Sequence, residues 1–160
     1  MNKKQRWQRI QASLTYPRVN HQKYALTIRH LDCGSCNACE LELNALANPI
    51  YDIENYGIRF EASPRHADIL AMTGPYTRSL DEAARLTLAA MPVPRIVTIG
   101  DCANNEGPFK KSYAVIDRPE EIRRAIIGHI PGCPPSPLVL LEELLKLAEE
   151  LSDSIYGNVK

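Results

Sequence analysis

Apolar and polar positions along the chain switch between two periods. Residues 24–30 (YALTIRH) alternate, which predicts a half-buried strand. A cysteine-rich turn, DCGSCNACE at 32–40, follows, and ELELNALAN at 40–48 predicts a short helix broken at Pro49. NYGIRFEAS at 55–63 predicts a second extended segment. ADILAMTG at 67–74 is a continuous apolar run ending in glycine, the pattern of a strand buried on both faces. Residues 79–90 (SLDEAARLTLAA) open on a capping Ser79, carry acids in the first turn and predict a helix. RIVTIGDC at 95–102 predicts another buried strand running into a turn. SYAVID at 112–117 reads as extended and PEEIRRAI at 119–126 as helical. The last helix is the plainest pattern. Ser136 caps it, Pro137 suits its first turn, and Leu138, Leu141, Leu144, Leu145, Ala148 and Leu151 share one face. Strands alternating with helices predict a single α/β domain, a doubly wound and mainly parallel sheet with flanking helices.

Charge changes this picture at one end. The 160 residues carry 19 Lys or Arg against 19 Asp or Glu, so net charge gives no reason to expect a nucleic-acid partner. Residues 1–31 nevertheless hold seven basic and no acidic residues. The expected organisation is a basic arm over 1–22 and an α/β domain over 23–160. Trp7, Ile10 and Leu14 fall on one helical face of the arm with Arg6 and Arg9 elsewhere, a pattern suited to a membrane subunit or lipid head groups. No run approaches the roughly 20 apolar residues of a membrane span, and no apolar stretch of the secretory type follows the first charges. The expectation is a cytoplasmic, at most peripheral, protein.

Five cysteines in a reducing compartment point to metal ligation rather than disulfides. Cys33, Cys36 and Cys39 follow the first strand, Cys102 follows the RIVTIG strand, and Cys133 precedes the last helix. Gly34, Gly100, Gly132, Pro134 and Pro135 flank them and permit tight turns. In an open α/β sheet such loops converge at the carboxyl ends of the strands. The spacing itself leaves three chemistries open: an iron–sulfur cluster, a structural zinc and inert buried thiols. Cys33 and Cys36 form a C-x2-C pair just as Cys36 and Cys39 do. No nucleophile triad or phosphate-binding glycine loop is present, which disfavours an independent hydrolase or kinase. Glu42, three residues after Cys39, is placed to face the same way; Arg65 and His66, before the third strand, are candidates for a partner or the metal centre. Asp101 reads as a turn residue.

GSCNACELE at 34–42, YDIENYGI at 51–58, SPRHADILAMTG at 63–74, IGDCANNEGPF at 99–109, SYAVI at 112–116 and IPGCPPSP at 130–137 carry a resemblance across most of residues 24–145. The chain resembles the small cluster-bearing subunit of energy-converting nickel–iron hydrogenases and formate hydrogenlyases, itself similar to the 20 kDa subunit of complex I. The resemblance implies a flavodoxin-like fold and one 4Fe-4S cluster on Cys36, Cys39, Cys102 and Cys133, leaving Cys33 out. It implies three partners: a large nickel–iron (or complex I 49 kDa-like) subunit, a polyferredoxin-type subunit and an integral membrane subunit. The implied role is electron relay, with quinone reduction and a zinc-stabilised binding module as the rival readings. Complex I subunits have adjacent cysteines at the first site, and the C-x2-C here favours the hydrogenase-like branch. Asn105 and Glu106 stand where relatives often have glycines, and the stretch between SYAVI and IPGC looks short.

Overall fold

The computed structural model describes residues 25–156. The basic arm and its Trp7/Ile10/Leu14 stripe lie outside them. Five strands, β1 (Leu26–Asp32), β2 (Ile58–Phe60), β3 (Ile69–Thr73), β4 (Ile96–Ile99) and β5 (Ile126–Ile130), form one sheet in the order β2-β1-β3-β4-β5. All four pairings are parallel. This is the flavodoxin-like order, with its switch point between β1 and β3. The expected doubly wound α/β fold is the observed one.

Among the described residues four helices cover the sheet: α1 (Ala38–Ala45), α2 (Asp81–Ala89), α3 (Glu120–Ala125) and α4 (Pro137–Tyr156). Leu43 of α1 and Leu140, Leu141, Leu144 and Ala148 of α4 pack on Ile28, Ile69, Ala71, Val97 and Ile99. Ala84 and Leu88 of α2 with Ile122 and Ala125 of α3 pack on Leu70, Met72 and Ile96 of the other face. Strand β3 is buried at every position, as its unbroken apolar run requires.

Local departures from the sequence expectations have identifiable causes. The segment over 55–63 yields only the three-residue β2, because Ile53–Tyr56 winds into a 3-10 turn ending at Gly57. Ser79 does not cap α2. A 3-10 turn, Arg78–Leu80, intervenes, Leu80 takes the cap position without a side-chain bond, and the Ser79 hydroxyl turns to Thr77. In α4 the buried stripe runs through Leu140, Leu141, Leu144 and Ala148, and Leu138 is only half-buried. The Ser136 hydroxyl does accept from the Val139 N–H, at 3.5 Å. SYAVID is extended enough for one antiparallel bridge, Val115 to Thr77. The helix in PEEIRRAI runs from Glu120 to Ala125 and passes straight into β5, a strand absent from the sequence expectation. No glycine or proline separates the two, and β5 is a short edge strand with one fully buried residue, so its pattern carries little strand signal.

Candidate functional site

Parallel strands send every exit loop to the same end of the sheet. The first of these loops is shaped by Asp32, the last residue of β1, whose Oδ1 accepts from the N–H groups of both Gly34 and Ser35 at 2.7 Å. The Ser35 hydroxyl then accepts from the Asn37 N–H at 3.0 Å. Asn37 adopts a left-handed conformation (φ 70°) and starts α1. Cys36 stands exposed on this loop, and Cys39 is buried in the first turn of the helix.

The same loop turns Cys33 the other way. Its N–H donates to the Thr73 carbonyl, and its carbonyl accepts from the Thr77 N–H and hydroxyl. The side chain is fully buried among Leu70, Met72 and Tyr76, in the layer opposite Cys39. Burial, then the neighbouring Asp32 charge, push its thiol up to about 12. None of the other cysteines figures among its electrostatic neighbours.

Cys39 and Cys102 do have other thiols among their electrostatic neighbours. Cys39 is also pushed up to about 12, by burial first, then by Glu40, Cys36, Cys102 and Cys133. Cys102 sits in a 3-10 turn (Asp101–Asn104) directly after β4. Its thiol is raised by burial and, more weakly, by Cys133, Cys36 and Asp101, against a lowering hydrogen bond donated by the Phe109 N–H. Cys133 is exposed on the loop between β5 and α4. The structure thus brings Cys36 and Cys133 within electrostatic range of both Cys39 and Cys102, and puts Cys33 apart.

Two glycines make room for this gathering. Gly100 has φ 86°, and a Cβ there would lie 2.5 Å from the Cys39 sulfur. A side chain on Gly107 would collide with the sulfur and backbone of Cys102. Both positions keep the space around sulfur free, as a bulky bound group requires. Asn105 adopts φ 61°, the left-handed geometry that glycine tolerates best and asparagine next best. That explains how this loop keeps its shape without the glycines relatives often carry there.

The other candidates are relocated. Arg65 and His66 form an exposed turn before β3. They lie at the amino end of the sheet, away from the cysteines. Glu42 is only half-buried. The carboxylate packed beside the cysteines is instead Glu40, 7% exposed, with neither oxygen accepting a hydrogen bond. The His30 imidazole lies beside it, Nε2 to Oε1 3.7 Å, and that same nitrogen contacts the Thr73 hydroxyl at 2.9 Å. Asp101 is likewise more than a turn residue, as shown below. Among the described residues no group of three or more His, Cys, Asp or Glu side chains is disposed to hold a single metal ion. None of their helices is long and apolar enough to cross a membrane.

A flavodoxin-like sheet with cysteines on three loops at the carboxyl end of its strands defines the class to which the chain is assigned. The family described as "NADH ubiquinone oxidoreductase, 20 Kd subunit" matches over residues 36–147, and the chain belongs to it. It is 37% identical over 131 residues to formate hydrogenlyase subunit 7 of Escherichia coli, covering 81% of this chain and 51% of that protein. The chain therefore spans about half the length of that relative. It is 38% identical over 136 residues to the probable membrane-bound hydrogenase subunit mbhJ of Pyrococcus furiosus, covering 81% of this chain and 78% of that one. Among solved structures, a chain of the archaeal membrane-bound sulfane sulfur reductase superposes with a TM-score of 0.63 at 26% identity, covering 81% of this chain and 73% of its own.

Proposed function

We propose that this chain is the electron-transfer subunit of a membrane-associated, energy-converting hydrogenase or formate hydrogenlyase-type complex, and that it holds one 4Fe-4S cluster on Cys36, Cys39, Cys102 and Cys133. One observation carries the reading: three loops at the carboxyl end of a parallel sheet bring Cys36 and Cys133 within electrostatic range of both Cys39 and Cys102, while Cys33 is turned into the opposite layer. The donor set fits the group. Sulfur is the ligand of iron–sulfur clusters, and Gly100 and Gly107 leave space beside two of the sulfurs. When bound, such a cluster exchanges single electrons at a potential set by charge, sulfur hydrogen bonds and exposure.

The chain's own residues then have defined tasks. The Phe109 N–H donates to the Cys102 sulfur, and Asp32 fixes the loop that presents Cys36. Leu41 after Cys39, Phe109 on the Cys102 loop and Val139 after Cys133 are large apolar side chains left exposed. They suit burial under a large catalytic subunit, which would shield the thiolates from water. The other partners are a polyferredoxin-type subunit and an integral membrane subunit, with the chain peripheral on the cytoplasmic side.

The 37–38% identity to proteins named for formate hydrogenlyase and membrane-bound hydrogenase supports the hydrogen-linked assembly. The family description supports a second reading, a complex I-like chain delivering electrons to quinone. Anaerobic purification should yield about four irons per chain. Replacing Cys36, Cys39, Cys102 or Cys133 with Ala should abolish them, and Cys33→Ala should not. Zinc in place of iron sinks the cluster assignment. The large subunit that co-purifies decides the assembly: nickel with hydrogen turnover supports the first reading, and quinone reduction without nickel supports the second.

A further inference from the structure

We propose that Asp101 is a positioning residue that clamps the Cys102 loop to the Cys133 loop and so fixes the spacing of two of the four thiolates. The inference rests on the cluster assignment above. Strand pairing between β4 and β5 ends at Ile99 and Ile130, and the Gly100 N–H donates to the Ile130 carbonyl at 2.8 Å just beyond it. Asp101 continues the contact in both directions. Its N–H donates to the Gly132 carbonyl at 2.8 Å, and its Oδ1 accepts from the Gly132 N–H at 2.6 Å. Its carbonyl accepts from the N–H groups of Glu106 and Gly107 at 2.9 and 3.2 Å, closing the Cys102 loop on itself. One residue on from Asp101 is Cys102, and one residue on from Gly132 is Cys133. Both ligands therefore hang from the same two-bond ring.

The ring cannot easily be made by other means. Gly132 has φ 134°, and a Cβ there would lie 2.7 Å from the Pro135 backbone, so the position offers an N–H and a carbonyl but no side chain. The acceptor has to come from across the gap. The negative charge itself gives the neighbouring thiol no help, since Asp101 is among the groups that hold the Cys102 thiol up. Its contribution is the acceptor geometry.

That distinction sets the experiment. The full-length chain, co-expressed with its partner subunits and purified anaerobically, is compared as wild type, Asp101→Asn and Asp101→Ala. Asn keeps an oxygen where Oδ1 stands, so D101N should retain about four irons per chain. Loss of one negative charge should also move its cluster potential upwards. D101A should shed iron to ferricyanide about tenfold sooner or more, the factor a charge-assisted hydrogen bond represents. Ferricyanide accepts the single electron released when a four-iron cluster gives up a ferrous ion and becomes a three-iron one, so the three-iron resonance signal reports the loss. Amide exchange at Gly132 reads the clamp independently of any metal: protection should be lost in D101A and kept in D101N. Unchanged Gly132 protection in D101A, or equal loss of iron in both variants, overturns the proposal. If D101A does not accumulate folded, iron loss from D101N alone overturns it. Wild-type chain without iron but with the expected Gly132 pattern would sink the cluster assignment and leave the clamp standing.

Discussion

His30 illustrates how burial rather than charge can decide the state of a side chain. Burial lowers its pKa from the ordinary 6.5, against the raising effects of Glu40 and Asp32, with Arg29 adding a smaller lowering push. The folded chain therefore holds His30 neutral at a pH where the unfolded chain has begun to bind a proton. Stability from this group is present above about 6.5 and is lost as pH falls below it. In His30→Gln, which keeps a partner for Thr73, that component is absent. The difference in melting temperature between wild type and variant should narrow as pH drops from 7 towards 5, measured for the isolated chain; a constant difference would show that folding leaves the His30 pKa at its ordinary value. At this scale the sequence was only partly legible. The five cysteines stood out by their spacing and by the flanking glycines and prolines, but choosing four of them took the family resemblance, because Cys33 and Cys36 are spaced as Cys36 and Cys39 are. Glu40 could not, because its burial depends on the rotation of α1, which the left-handed Asn37 sets. Asp101 looked like a turn residue because its partner Gly132 lies 31 residues away.

Helices and strands were legible where pattern and burial agree. The unbroken apolar run of β3 and the long two-faced α4 are both present. β5 was missed because a helix of charged residues leads into it without a turn signal, and an edge strand needs neighbours rather than pattern to define it. The energetic centre of the cysteine-bearing layer is α4. Leu144 is fully buried against the sheet, so Leu144→Ala should cost about 2–5 kcal/mol. A denaturant titration would register this as a lower midpoint with an unchanged slope. A shift of only a few tenths of a kcal/mol would mean that the helix repacks and is less firmly seated than its burial implies.

At the scale of the whole molecule, the sheet order follows from the alternation of elements, but the pairing of loops at its end does not appear in any local pattern. Everything the proposed centre uses lies between Asp32 and Cys133, and the sheet itself begins at Leu26. Deleting residues 2–15 should therefore leave the sheet and iron per chain unchanged, while weakening attachment to a membrane subunit. Iron analysis and co-purification test the two halves separately, and loss of iron would show that the arm contributes to the centre.

A parallel sheet also divides the surface into territories with different freedom to change. Cysteine loops crowd one end, where a single side chain on Gly100 or Gly107 meets sulfur. The returns at the amino end carry no ligand. The exposed Pro92–Pro94 connection between α2 and β4 is one of these returns. Length can be added to an exposed return without moving the buried strands it joins. That connection is accordingly the place for an affinity tag or a fluorescent reporter, and one route by which chains of this architecture could grow longer while the same four sulfurs stayed in place.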